Sequence, residues 1–118
     1  MTKSLSLSIR IDLPNGGRIG PGKIGLLRAI DDEGSLRGAA AAMNMSYPRA
    51  LKLINDMNDN LREPVIVTSH GGAERGGAEL TTAGAGLIKS YDLLCKQAAT
   101  SCKKQIGAIA AFLPQKRE

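Results

Sequence analysis

The stretch that decides the fold is residues 35–54, which read SLRGAAAAMNMSYPRALKLI. Ser35 and Ser46 are good N-caps, because a serine hydroxyl accepts a hydrogen bond from a free backbone N–H at the start of a helix. We therefore predict two helices here, one from Leu36 to about Met43 and one from Tyr47 to about Leu61.

The junction between these helices has the features of a helix-turn-helix, in which two helices pack closely across a short turn. Asn44 lies in the turn, and asparagine tolerates the left-handed conformation that a tight turn demands. Ala39 and Ala40 are small enough for close helix packing, and Met43 and Met45 flank the turn as apolar anchors. The inner face of the second helix offers Ala50, Leu53 and Ile54.

A β hairpin and a long helix are predicted downstream of this motif. Val65–Thr68 is a short, β-branched strand, and Ala78–Leu80 can return as its partner across the glycine-rich loop 69–77. A hairpin in this position makes the motif a winged helix. Thr81 or Thr82 then caps a last long helix, which runs to about Ala111 and serves as a dimerisation helix.

Upstream, apolar residues at every second position of Leu5–Leu13 predict a half-buried strand, which Pro14–Gly17 ends with turn chemistry. Arg18 and Ile19 can begin a short returning strand. A helix from roughly Gly22 to Glu33 follows. The predicted fold is therefore mainly α with a small β wing: a winged helix-turn-helix with an N-terminal strand and a long C-terminal dimerisation helix.

Composition narrows the function. The 118 residues suit one domain, which we place at residues 1–111, with a flexible tail at 112–118. Sixteen Lys and Arg against 11 Asp and Glu give a net charge of +5, which favours a polyanionic partner. With one Phe, two Tyr and no Trp, a large aromatic ligand pocket is not expected. The chain has no long apolar run and only two cysteines, so we expect a reduced, cytoplasmic protein without a membrane span.

Polar residues of the helix-turn-helix and the wing are the candidates for contacting DNA. The second helix of such a motif enters the major groove, so Arg49 is a candidate for guanine and Lys52 for a phosphate. The N-cap region offers free N–H groups to a phosphate, and Tyr47 suits a sugar or a thymine methyl. The candidates are Arg37, Ser46, Tyr47, Arg49, Lys52, Asn55 and Arg75. The alternative for each is an ordinary solvated side chain.

An apolar stripe along the last helix is assigned to a dimer interface or to packing on the first helix. The dimer candidates are Leu87, Tyr91, Leu94 and Ala98. Cys95 and Cys102 lie on the same stripe, where small apolar packing is the default and an intersubunit redox switch the alternative.

No catalytic or metal-binding constellation is visible. His70 is the only histidine and has no cysteine or carboxylate cluster at ligand spacing, so we interpret it as a surface residue. The glycine pairs 71–72 and 76–77 are not followed by a lysine-bearing helix, as a phosphate-binding loop requires. We predict neither an enzyme nor a cofactor.

These motifs together resemble the N-terminal domain of the ModE family of molybdate-responsive transcriptional regulators, over about residues 5–95. The resemblance rests on Ala29-Ile30-Asp31, Gly34-Ser35-Leu36, Ala39-Ala40, Met43, Met45-Ser46-Tyr47, Ala50 and the wing end Gly76-Gly77-Ala78-Glu79-Leu80-Thr81. LysR-type regulators share the winged-helix plan, and Ser46-Tyr47-Pro48-Arg49-Ala50 and Thr82-Ala83-Gly84 are similar to LysR features. LysR proteins lack the leading strand, so ModE is the better match.

The resemblance implies a bacterial transcriptional regulator that binds a pseudo-palindromic site in double-stranded DNA as a homodimer. ModE proteins that sense molybdate carry additional C-terminal oxyanion-binding domains, and this sequence stops where those would begin. We therefore do not carry molybdate control over. Two alternatives stay open: a winged-helix interaction or dimerisation adaptor without DNA binding, and a ModE-like regulator that responds to an oxyanion.

Overall fold

A computed structural model describes the protein over residues 5–69 and 77–114. Within these ranges the chain forms two short strands, three helices, two further strands and two helices. Their bounds are β1 Ile11–Asp12, β2 Arg18–Ile19, α1 Pro21–Glu33, α2 Leu36–Ala42, α3 Tyr47–Asn60, β3 Ile66–Thr68, β4 Ala78–Leu80, α4 Thr82–Ser101 and α5 Lys103–Ala110. The mainly α fold with a small β wing is confirmed.

Helix α1 lies at the centre of the core, in contact with α2, α3, β4 and α4. Pro21 opens it, because the fixed φ of proline suits the first helical position and its missing N–H would have no partner there. Gly34 ends it with a left-handed φ of 73° and donates its N–H to the Ile30 carbonyl. The large buried side chains of α1 are Ile24, Leu26, Leu27 and Ile30. The helix-turn-helix and the wing are therefore positioned by one hydrophobic helix.

Helices α2 and α3 form the predicted helix-turn-helix, and both predicted N-caps are confirmed. The Ser35 hydroxyl accepts a hydrogen bond from the Gly38 N–H at 3.0 Å, and the Ser46 hydroxyl accepts one from the Arg49 N–H at 3.2 Å. Asn44 in the turn has a φ of 57°, as predicted. The small residues Ala39, Ala40 and Ala50 are buried, as close packing in this motif requires.

The wing is an antiparallel hairpin in which Ile66 of β3 lies opposite Leu80 of β4. Asn58 of α3 fastens the root of this hairpin. Its side-chain oxygen accepts the Val65 N–H at 2.8 Å, and its amide nitrogen donates to the Ile66 carbonyl at 3.2 Å. One asparagine side chain thus holds the wing against α3.

Helix α4 meets the wing at a closely packed junction. The Thr81 hydroxyl accepts the Gly84 N–H at 3.0 Å and donates to the Pro64 carbonyl at 2.7 Å, so Thr81, one of two predicted caps, is the N-cap. A Cβ at Gly84 would overlap the Val65 carbonyl oxygen and lie 2.9 Å from Leu80 Cδ2. Glycine is therefore required where α4 crosses the root of β3.

The predicted N-terminal strand is shorter than its alternating pattern. Of Leu5–Leu13, only Ile11 and Asp12 pair with a partner strand, and Ile11 is exposed. The partner, β2, ends at Ile19, because Gly20 is already the N-cap of α1 and Pro21 has no N–H for a β ladder. Ile9, which precedes β1, instead contacts α4: its carbonyl accepts a hydrogen bond from the Tyr91 hydroxyl at 2.6 Å.

The predicted long C-terminal helix is divided in two. Helix α4 ends at Ser101, Cys102 has a φ of −101° and a ψ of 12°, and α5 begins at Lys103. The residues at this break, Thr100-Ser101-Cys102, combine low helix propensity with hydroxyls that compete for backbone hydrogen bonds. No residue of α5 is buried, so no packing compensates for that low propensity.

Candidate nucleic-acid interface

The helix-turn-helix brings the first turns of α2 and α3 side by side. Arg37 is the second residue of α2, Tyr47 is the first residue of α3, and the Arg37 guanidinium carbon lies 4.5 Å from the centre of the Tyr47 ring. Both side chains are exposed. Two helix N-termini therefore open onto one patch of surface.

Helix α3 separates an apolar face from a polar one. Ala50, Ile54 and Met57 are buried, at the spacing of one helical face. The predicted contact residues Arg49, Lys52 and Asn55 are all exposed, as is Ser46 at the cap. Of the predicted DNA-binding residues, the described part of the chain thus brings together Arg37, Ser46, Tyr47, Arg49, Lys52 and Asn55 on or beside one surface.

The charge of this surface opposes the usual preference of helices. A helix N-terminus carries a partial positive charge, so acidic side chains are favoured in its first turn and basic ones are not. Neither α2 nor α3 has an acidic residue in its first turn, while Arg37 and Arg49 lie there. The arrangement adds two full positive charges to two helix dipoles, and a polyanion is the ligand that such a surface favours.

Lys52 differs from the two arginines, because it is the one of the three that forms an ion pair among the described residues. Its Nζ lies 3.5 Å from Asp56 Oδ2, one turn further along α3. Asp56 is not among the residues predicted for this surface, although the spacing of four residues between Lys52 and Asp56 is a recognisable signal for such a pair.

Two of the residues considered in the wing loop, Arg75 and His70, lie outside the described residues. The structure therefore leaves the prediction for Arg75 as it stands. Among the residues that are described, no group of three or more His, Cys, Asp or Glu side chains is arranged to hold a metal ion. In the same part of the chain, no helix is both long and apolar enough to cross a membrane.

The stripe predicted on α4 is only partly available to another subunit. Tyr91 is 8% exposed and belongs to the core of its own protomer, and burial raises the pKa of its hydroxyl. The Tyr91 side chain therefore packs within its own protomer, which is the second of the two roles predicted for the stripe, and its part in a dimer interface stays a prediction. Leu87 also packs against the core, whereas Leu94 is 39% exposed and Ala98 is partly buried.

One of the two cysteines packs against the core of the protomer and the other is exposed to solvent. Cys95 packs against the core, in keeping with the default prediction, but Cys102 is exposed at the break between α4 and α5. The Cys102 thiol therefore does not pack within the protomer, and its predicted packing at a helix interface stays a prediction.

The comparison with family models supplies the identity of this architecture. The model described as bacterial regulatory helix-turn-helix protein, lysR family, matches residues 22–85, which is more than half of the chain. This range includes α1 from its second residue onward, α2, α3 and the wing. The chain belongs to this family. The matched range ends just after Gly84, at the start of the long helix.

Curated relatives bear the ModE name or a molybdenum description. The molybdenum-pterin-binding protein MopB of Rhodobacter capsulatus is 41% identical over 76 residues, 64% of this chain and 28% of the relative. The molybdenum transport protein ModE of Azotobacter vinelandii is 36% identical over 84 residues, 71% of this chain and 31% of the relative. The DNA-binding transcriptional dual regulator ModE of Escherichia coli K12 is 38% identical over 76 residues, 64% of this chain and 29% of the relative. The resemblance to ModE is confirmed, and the chain spans less than a third of the length of these relatives.

Solved structures agree on the fold. The DNA-binding domain of CbnR in complex with DNA superposes with a TM-score of 0.57 at 21% identity, covering 74% of this chain and 94% of that chain. Full-length LysG from Corynebacterium glutamicum with bound effector arginine superposes with a TM-score of 0.55 at 24% identity, covering 81% of this chain and 31% of that chain. The predicted winged helix-turn-helix fold is thereby confirmed.

Proposed function

We propose that this chain is a bacterial, ModE-like transcriptional regulator that binds a pseudo-palindromic promoter site as a homodimer. Helix α3 enters the major groove, and the N-terminus of α2 and the wing contact the flanking backbone. Such a regulator works in the cytoplasm, where the chromosome lies, and we assign no enzymatic reaction to it.

The single observation that carries the proposal is the juxtaposition of two cationic helix N-termini. Arg37 and Arg49 each stand where a helix dipole disfavours a cation, at a typical cost of about 0.3–1 kcal/mol. A fold selected for stability alone would place acids or neutral residues there. In a complex with DNA the same arrangement is favourable, because the helix N–H groups and the guanidinium groups all donate hydrogen bonds to the anionic phosphates.

Exposed leucines on α4 support the homodimer. Leu93 is 53% exposed and Leu94 is 39% exposed, on a helix that is followed directly by α5. Leucines in this position are expected to pack against the same helix of a second copy. Pairing two copies sets two recognition helices about one turn of DNA apart.

The oxyanion-responsive alternative has weaker support. A cleft of about 330 Å³ lies between Gly34 at the end of α1 and the part of the wing strands nearest the glycine-rich loop. Its described lining is Gly34, Val67, Thr68, Ser69, Gly77, Ala78 and Glu79. Glu79 is the charged side chain among these residues, and a carboxylate repels an oxyanion. A thermal shift of the protein with molybdate, tungstate or sulfate would favour this alternative, and we expect none.

The proposal is tested by titrating a randomised-sequence duplex at low and at moderate salt. We expect binding whose affinity falls linearly with salt on logarithmic axes, because cationic side chains release counterions from the phosphates. The double variant Arg49→Ala/Lys52→Ala should abolish this binding. The matched control is Lys103→Ala/Lys104→Ala, which removes the same charge from the exposed surface of α5 and should leave more binding.

Absence of any DNA binding at low salt would overturn the proposal and favour the dimerisation adaptor. Selection of bound sites from randomised DNA then tests the dimer and the site together, because two half-sites with fixed spacing are expected. Leu93→Glu/Leu94→Glu should yield a monomer by sedimentation and lose the preference for two half-sites.

A further inference from the structure

Arg37 and Tyr47 make a contact that the overall function does not explain. They come from different helices, ten residues apart in sequence, and the guanidinium carbon lies 4.5 Å from the ring centre. This distance is well within the range of a cation–π interaction. No ion pair of Arg37 with a carboxylate is found among the described residues. The tyrosine ring is therefore the identified partner of this guanidinium.

Stacking and phosphate binding use different parts of an arginine. When a guanidinium stacks on an aromatic ring, the ring contacts the face of the guanidinium plane, whereas the five N–H donors point outward in that plane. An arginine stacked on a ring can thus still offer a two-donor edge to a phosphate. The ring also restricts a long side chain that would otherwise lose rotamer freedom on binding, and such preorganisation increases affinity.

We propose that Tyr47 is a positioning residue, whose ring holds the Arg37 guanidinium ready for one phosphate of the DNA backbone. This inference rests on the proposed DNA-binding function and specifies how one part of that surface works. The Tyr47 hydroxyl is not needed, and Tyr47 itself does not read a base. The stack links the first turn of α2 to the first turn of α3. The phosphate contact of Arg37 and the base contacts of α3 are therefore held at a fixed position relative to each other.

The test is a double-mutant cycle on the full chain, measured with a duplex selected from randomised DNA. Tyr47→Phe should bind like the wild type, because the ring is kept. Tyr47→Leu should weaken binding about two- to fivefold, which is the worth of an exposed cation–π contact. Arg37→Ala should weaken binding and reduce the logarithmic salt slope by about 0.9 for each phosphate that is no longer neutralised.

The decisive arm is Tyr47→Leu in the Arg37→Ala background, where we expect no further weakening. An equal weakening in both backgrounds would overturn the inference, because Tyr47 would then contact DNA directly or act only on helix geometry. Failure of Tyr47→Phe to bind would also overturn it, since the hydroxyl would then be required. If the wild-type chain selects no duplex and binds none at low salt, the proposed function itself fails. If the wild-type chain binds DNA but the effects of the two substitutions simply add, only the role of Tyr47 is overturned. Unfolding midpoints of all variants check that each is folded.

Discussion

The N-termini of α3 and α4 are built in the same way but lie in opposite environments. Ser46 and Thr81 each accept a hydrogen bond from the backbone N–H three residues further on. At α4 that third residue is Gly84, which is buried against the root of the wing. At α3 it is Arg49, which is exposed.

This difference separates two uses of one local motif. The cap at α4 is a structural joint, because Thr81 also donates to the Pro64 carbonyl and Gly84 admits the Val65 backbone. The cap at α3 leaves its first turn to solvent and adds a cation that the helix dipole disfavours. An N-cap residue marks where a helix begins. The burial and charge of the turn that follows indicate whether that helix end packs within the protein or is available to a ligand.

The largest effect is expected from adding one methyl group at the structural joint. Gly84→Ala places a Cβ against the Val65 carbonyl oxygen, and overpacking against backbone costs about 1–3 kcal/mol or more. The matched control is Gly86→Ala on the same helix, where a Cβ meets open space and should stabilise by up to about 1 kcal/mol. Urea unfolding measures both. Equal stability of the two variants would contradict the assignment of a joint.

Reversing the charge at the exposed end should separate stability from binding. Arg49→Glu pairs with Ser46 as a capping box and suits the helix dipole, so we expect a gain of about 0.3–1 kcal/mol in unfolding free energy. The free energy of DNA binding should become less favourable by about 1–3 kcal/mol or more, which is the usual cost of removing an arginine that binds DNA. Anisotropy titration and urea unfolding supply the two readouts. Lys103→Glu, in the first turn of α5, is the control and should bind DNA more tightly than Arg49→Glu; unchanged affinity of Arg49→Glu would refute the interface.

Removing the caps themselves should sharpen the same contrast. Thr81→Ala removes two hydrogen bonds at a packed junction and should cost about 2 kcal/mol, at the upper end for N-caps. Ser46→Ala removes one exposed hydrogen bond and should cost about 0.5–1 kcal/mol. Denaturation midpoints compare them directly. A larger destabilisation at Ser46 than at Thr81 would invert the comparison.

The caps and the turn could be predicted because their signals are local. A serine before an apolar-periodic run marks a helix start, and Asn44, directly between the ends of α2 and α3, marks a left-handed turn. Strand β3 is equally predictable from its β-branched residues, and β4 from its position directly after the glycine-rich loop. In each of these places the backbone and the side chain that stabilises it are close neighbours in sequence.

The features that could not be predicted depend on partners distant in sequence or on the absence of partners. Alternation over Leu5–Leu13 indicates extended backbone, but the length of its pairing is set by Pro21, which begins α1. The Arg37–Tyr47 stack depends on how α2 crosses α3, which no local pattern states. Tyr91 fits the pattern of an interface stripe, yet its hydroxyl meets the Ile9 carbonyl, 82 residues away.

The smallest expected effect concerns the acid that faces the recognition surface. Asp56 pairs with Lys52 and competes with a phosphate for that ammonium group, although an exposed pair of this spacing contributes only about 0.3–0.5 kcal/mol. Asp56→Asn should therefore tighten DNA binding about twofold or slightly more, measured by anisotropy at moderate salt. Asp59→Asn removes the same charge from the same helix without an identified ion pair and serves as the control. A gain for Asp56→Asn no larger than that for Asp59→Asn would mean that general repulsion, and not the pair with Lys52, limits affinity at this end of α3.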